Sequence, residues 1–194
     1  MKVAYFDCFS GASGDMILGS LIDAGLSSRK LSEEVKKLRI PVHLKVKKVL
    51  KGGLFATQVI VEGSEKRSHR NLREILRIIE RSRVEAEVKK KSEVIFKRIA
   101  SVEAKIHHIP MEEVHFHELG GLDSIVDIVG SVWGLQQLEI EKIHVSKVNV
   151  GAGFVKCEHG ILPVPAPATL GRGRYSRPAR RPLPRSRSGC PACR

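Results

Sequence analysis

Two histidines and five carboxylates fall within residues 111–130, MEEVHFHELGGLDSIVDIVG, around a Gly-Gly pair. That composition suits a metal site. His115 and His117 alternate with Val114 and Phe116, so an extended segment over 114–118 sends both imidazoles to one face and the apolar pair to the other. After Gly120 and Gly121, residues 123–138 carry apolar side chains at helical spacing. Asp123 and Asp127 then stand one turn apart near the helix start. Asp123 fits an N-cap, whose carboxylate accepts backbone N–H groups that the helix leaves unpaired. Asp127 does not, because it lies between Val126 and Ile128 in a stretch that reads as buried, and buried carboxylates carry a charged or metal partner. Imidazole with carboxylate suits zinc, nickel, iron or manganese, and spacing alone does not choose among them.

A second cluster sits at the amino terminus, where VAYFDCFSGASGDM passes from a short apolar run into small residues and two acids, Asp7 and Asp15. Apolar positions 17, 18, 21, 22 and 26 continue it as a helix over about 16–26. Strand, turn and helix in that order form the usual ligand crevice of an α/β protein, with helix N–H groups free to meet an anion. Asp7 and Asp15 are the candidate cation ligands there. Ser10, Ser13 and Gly14 are the candidate contacts to a bound nucleotide, with helix capping the plainer role for the serines. The turn lacks both the Gly-Lys-Ser/Thr ending of a P-loop and the GxGxxG pattern.

Cys157, Glu158 and His159 lie between Val150-Gly151-Ala152-Gly153 and Gly160, which reads as a glycine-bounded loop carrying nickel-compatible ligands. Cys190 and Cys193 add a lone CxxC, a weak zinc signal.

The elements that must position these residues read as an α/β fold: a small mixed sheet, an inserted β-hairpin and a covering helical hairpin. Residues 43–49 and 55–61 alternate on either side of Lys51-Gly52-Gly53, the pattern of two antiparallel strands and a tight turn. Residues 69–83 and 84–107 have helical periodicity and form the covering pair, with His107 and His108 at the carboxyl end as complements to the helix dipole. No internal repeat is evident, and about 170 residues suffice for one domain.

Three blocks, YFDCFSGASGDM at 5–16, FHELGGLDSIVDIVG at 116–130 and SKVNVGAGFVKCEHGILPVPAPAT at 146–169, resemble in order the signature blocks of the LarC family, the nickel-insertion proteins of nickel-pincer nucleotide cofactor biosynthesis. The resemblance implies a cyclometallase acting on pyridinium-3,5-bisthiocarboxylic acid mononucleotide, with Ni(II) as substrate metal and CTP with Mn(II) or Mg(II) as requirements. Joined to the residue reading, it makes Asp7, Asp15, His115, His117 and Asp127 the metal candidates and Glu118 and His117 the proton-handling candidates. Two alternatives stay open: a metal-dependent phosphohydrolase or nucleotidase, and a non-catalytic nickel-binding module serving a separately encoded carboxyl-terminal half. Self-association into a homo-oligomer is compatible with any of these.

Members of that family continue beyond the third block, whereas residues 171–194 here carry eight Arg and four Pro with no Lys and no acid. The expectation is a domain over 1–170 followed by an Arg/Pro-rich tail that is disordered and out of frame. The chain's formal net charge is +13; removing the eight tail arginines leaves 26 basic residues against 21 acids, a net of +5. Those 26 are spread over helix faces with few aromatics among them, so nucleic acid is not the expected partner. With no apolar run of membrane length and only Cys8 and Cys157 outside the tail, a cytoplasmic setting is expected.

Overall fold

The computed structural model describes residues 1–63, 70–116, 120–157, 160–165, 169 and 175–176. Within them the chain is α/β. Strand β1 (Lys2–Phe6) leads through the turn to helix α1 (Gly14–Asp23), and Gly25, at φ +110°, turns the chain into α2 (Ser28–Lys36). Helix α2 is absent from the sequence expectation, although Ser27 caps it through Lys30 N–H and Leu31 and Val35 bury one face.

The hairpin forms as expected and runs further at both ends, with β2 (Val42–Lys51) pairing antiparallel to β3 (Leu54–Gly63). Gly52 and Gly53 turn it at φ +58° and +82°, the left-handed geometry of a type I′ loop. Asp23, at the end of α1, ties the hairpin to the helix: its carboxylate accepts from Thr57 N–H at 3.0 Å and Thr57 Oγ1 at 2.6 Å, and pairs with Lys48.

After the short strand β4 (Arg70–Asn71), helix α3 (Leu72–Arg81) begins with a capping box, in which Asn71 and Glu74 satisfy each other's backbone N–H groups. The long helix α4 (Ala86–His107) ends at His108 in the left-handed region. The helical pair is present, and α4 packs also on α5 (Leu122–Gln137). A 3₁₀ turn at Met111–Glu113 leads to β5 (His115–Phe116), which pairs with β4.

The sheets are small, each of two strands among the described residues. Strands β6 (Ile140–Val145), β7 (Val148–Asn149), β8 (Gly153–Cys157), β9 (Gly160–Val164) and β10 (Tyr175–Ser176) complete five two-stranded pairs among the described residues: β1 with β6 and β7 with β10, both parallel, and β2–β3, β4–β5 and β8–β9, all antiparallel. Cys157, read above as part of a loop, ends β8 and pairs with Gly160 of β9 in an antiparallel hairpin. Glu158 and His159 lie outside the described residues, as do Cys190 and Cys193.

The core gathers Leu18 and Leu21 of α1, Leu31 and Val35 of α2, Ile75 and Ile79 of α3, Phe96 of α4 and Ile125, Val126, Val129 and Trp133 of α5. Helix α1 is held on both sides: a Cβ at Gly19 would lie 2.2 Å from the Thr57 carbonyl oxygen on β3, and Leu18 reaches Gly130 of α5. Such contacts let backbone meet backbone where a side chain would block it.

Candidate metal centre

The first turn of α1 meets α5 at Asp127, and the meeting point is acidic. Gly14 opens α1 directly against Asp127, so that a Cβ there would lie 2.4 Å from Asp127 Cβ, Cγ and Oδ2. Asp15 and Asp123 both bear electrostatically on the same carboxyl. Burial is the main reason that Asp127 is pushed up to about 7 from the ordinary carboxylate range, with repulsion from Asp15 and then Asp123 adding to it. Asp127 Oδ1 is buried and has no hydrogen-bond partner. A carboxyl in that condition is a strong ligand for any cation that can reach it, since the ion replaces both the missing hydrogen bond and the missing countercharge.

Local sequence accounts for this placement. Ile125, Val126 and Val129 bury the adjacent faces of α5, which carries Asp127 inward with them. Asp123 is exposed in the first turn, and its Oδ1 accepts from Ser124 N–H at 2.9 Å. It is not the N-cap expected; that position belongs to Gly121, two residues earlier. At α1 the capping expectation fails in a similar way. Ser13 occupies the N-cap position, but its hydroxyl donates to Asp15 Oδ1, which also accepts from Met16 N–H at 2.9 Å. The hydroxyl is drawn to the stronger, charged acceptor. Ser10 is exposed in the turn before it, and Asp7 is exposed just after β1.

The turn between Asp7 and Ser13 is fastened to the connection following β6. Cys8 N–H donates to Ser146 Oγ at 2.8 Å, Cys8 carbonyl accepts from Gly11 and Asn149 N–H, and Asn149 Nδ2 donates to the Phe9 carbonyl at 2.9 Å. Sequence periodicity gave no sign of Ser146 and Asn149 as supports; their only signal was membership of the 146–169 block.

At β5 the predicted alternation is present, with Val114 and Phe116 buried and His115 exposed. Phe116 meets the ring of Phe96 edge-on at 6.4 Å between centroids, which fixes the strand to α4. The buried Arg70 guanidinium donates from Nη1 to the Gly120 carbonyl at 2.7 Å, bracing the approach to α5. His117 and Glu118 lie outside the described residues. Of the sequence candidates, then, the structure brings Asp15 and Asp127 together and adds Asp123; among the described residues no three His, Cys, Asp or Glu side chains converge as a complete metal-binding group. Also among the described residues, no helix is long and apolar enough to cross a membrane.

Residues 4–172 match the family model described as nickel insertion protein. The chain is 52% identical over 171 residues to a Desulfitobacterium hafniense protein named pyridinium-3,5-bisthiocarboxylic acid mononucleotide nickel insertion protein, covering 88% of this chain and 42% of that one. A Geobacillus kaustophilus protein of the same name is 46% identical over 181 residues, covering 88% and 44%. A putative nickel insertion protein of Dictyoglomus thermophilum is 46% identical over 171 residues, with the same two coverages. No solved structure matches the chain. The chain thus spans less than half the length of these curated relatives. With the family's matched region running from β1 through both acidic helix starts to the strands beyond, the chain belongs to the nickel insertion protein family.

Proposed function

We propose that the chain supplies the nickel-binding and proton-handling part of an enzyme that inserts nickel into pyridinium-3,5-bisthiocarboxylic acid mononucleotide. The observation that carries this reading is Asp127, a half-buried carboxyl with a buried, unpartnered oxygen, held against the backbone of α1 beside Asp15 and Asp123. The names of its relatives supply the substrate. In this reading Asp127 and Asp15, joined by Asp7, His115 and His117, hold the incoming ion. Carbon–nickel bond formation releases a ring proton, and the electron pair of the broken C–H bond becomes the carbon–nickel bond with nickel staying at +2; Glu118 or His117 accepts that proton. The two thiocarboxylate sulfurs of the substrate complete the bonds to nickel.

The acids around the start of α1 repel a bare phosphate, so contact between the nucleotide and Ser10, Ser13 or Gly14 runs through the bound cation. The sequence holds no Gly-Lys-Ser/Thr cradle, and the reading therefore assigns CTP, with Mn(II) or Mg(II), to the portion of the relatives that this chain does not span. It follows that the chain alone does not complete the reaction, and that it works in the cytoplasm alongside that portion.

Nickel titration by calorimetry tests the reading. The double substitution His115→Ala with His117→Ala should abolish stoichiometric binding with an unchanged circular dichroism spectrum, and Asp127→Asn should weaken binding at least tenfold. With the missing portion of a relative supplied together with CTP, mass spectrometry should find the nucleotide carrying one nickel. Nickel binding that survives all these substitutions would sink the assignment, and release of phosphate from simple nucleotides without nickel would favour a phosphohydrolase.

A further inference from the structure

Strands β1 and β6 form a parallel pair with no core of its own. Parallel strands are ordinarily covered on both faces, because their crossover connections lay helices over them. Here no residue of either strand belongs to the hydrophobic core or to its partly buried margin. Registered neighbours in a parallel pair share a face. The register therefore puts Val3 and Tyr5 on one side with Lys142 and His144, and Ala4 and Phe6 on the other with Ile143 and Val145. Val3 is 45% and Tyr5 66% exposed on the first face; Ile143 is 49% and Val145 55% exposed on the second. A two-stranded sheet showing apolar side chains on both faces is marginal in water, and its open edges are templates for further pairing.

We infer that the β1–β6 pair is the docking platform for the remainder of the full-length protein, whose strands extend the sheet and whose helices or loops cover its faces. Two observations favour that occupant. More than half the length of the curated relatives has no counterpart in this chain. The platform also adjoins the site, because Ser146 and Asn149 at its end hold the turn that leads into α1. Docking there would set the remainder beside the acidic cluster without using any of its ligands.

The test mixes the full 194-residue chain with the separately produced remainder of the Desulfitobacterium hafniense relative. Light scattering should find a one-to-one complex, and hydrogen exchange in residues 2–6 and 140–145 should slow at least tenfold. Tyr5→Lys and Ile143→Lys should each weaken the complex at least tenfold while leaving the melting temperature of the chain unchanged, since both side chains lie outside the core. Should the remainder not fold alone, residues 1–170 are placed in the relative in exchange for its matched region, and the same amides are read in that continuous polypeptide. Exchange as fast in the complex or chimera as in the chain alone overturns the inference. So does a dimer of this chain whose dissociation follows the same two lysine substitutions, which would make a second copy the occupant. Nickel is read in no arm, so failure here leaves the assignment of Asp127 untouched.

Discussion

Gly14 and Asp127 touch where the start of α1 meets the second turn of α5: the α-carbon of one faces the side chain of the other with no room for a methyl group between them. The clash would fall on Asp127 Cβ as well as on its carboxyl, so a rotation of the carboxyl alone cannot relieve it. Gly14→Ala should therefore separate the start of α1 from α5 and lower stability by about 1–3 kcal/mol, the range for overpacking. Urea unfolding measures this, and an unchanged or higher midpoint would show that helix propensity outweighs the contact.

Asp127 makes stability depend on pH in the sense opposite to most carboxylates. Its folded-state pKa, about 7, lies above the ordinary 3.8, so the folded chain binds that proton more tightly than the unfolded one. The contribution is fully present below about pH 4, declines as pH rises, and is lost once pH passes 7. Asp127→Asn removes the charge at all pH values. The variant should gain about 1–2 kcal/mol over the parent at pH 8, after allowance for solvent screening, and little at pH 5. Urea midpoints at the two pH values decide it.

Nickel should compete with that same proton. If the ion binds ionised Asp127, affinity rises with pH up to about 7 and levels off above it, with proton release on binding. Calorimetry in two buffers of different ionisation enthalpy reads the released proton directly. A pH-independent affinity between 5.5 and 7 would remove Asp127 from the ligand set.

Asp23 should behave in the ordinary way. Its hydrogen bond from Lys48, then those from Thr57, lower its pKa to about 2, so its contribution is present above about pH 3.8 and lost as pH falls towards 2. Asp23→Ala leaves the buried Thr57 groups without an acceptor and should cost about 1–2 kcal/mol at pH 7. The loss should shrink near pH 2, as followed by thermal unfolding.

Truncation after Leu170 removes the Arg/Pro-rich tail and, among the described residues, only the two-residue pairing of β10 with β7. Stability should change by no more than about 0.5 kcal/mol, the usual range where no packed feature is lost. A larger drop in the denaturation midpoint would make 171–194 part of the folded unit.

Local periodicity made much of this fold legible. The hairpin turning at Gly52 and Gly53, the inward Val114 and Phe116 and the helical run ending at His107 each follow from a pattern within a few residues. So does the inward path of Asp127, which its apolar neighbours on α5 dictate. What the sequence hid depends on distant segments. The pairing of β1 with β6 joins residues about 140 positions apart, and β6 itself, as IEKIHV, alternates too weakly to announce a strand. Helix α2 was missed because its apolar face rests on only a few residues. The Ser13 and Asp123 capping assignments failed for separate reasons: the Ser13 hydroxyl turns to the Asp15 carboxylate, and the helix that carries Asp123 starts two residues earlier than its capping role requires, at Gly121.

The wedging of α1 between β3 and α5 bears on the metal site proposed above. With Gly19 against the Thr57 carbonyl on one side and Gly14 against Asp127 on the other, the helix has no slack to slide, so the gap between Asp15 and Asp127 is set by the core rather than by the guest. Core packing resists dilation far more than a loop does. A larger ion cannot widen that gap without unpacking the core. If Asp15 and Asp127 hold the ion as proposed, discrimination by size is built into the scaffold at this pair.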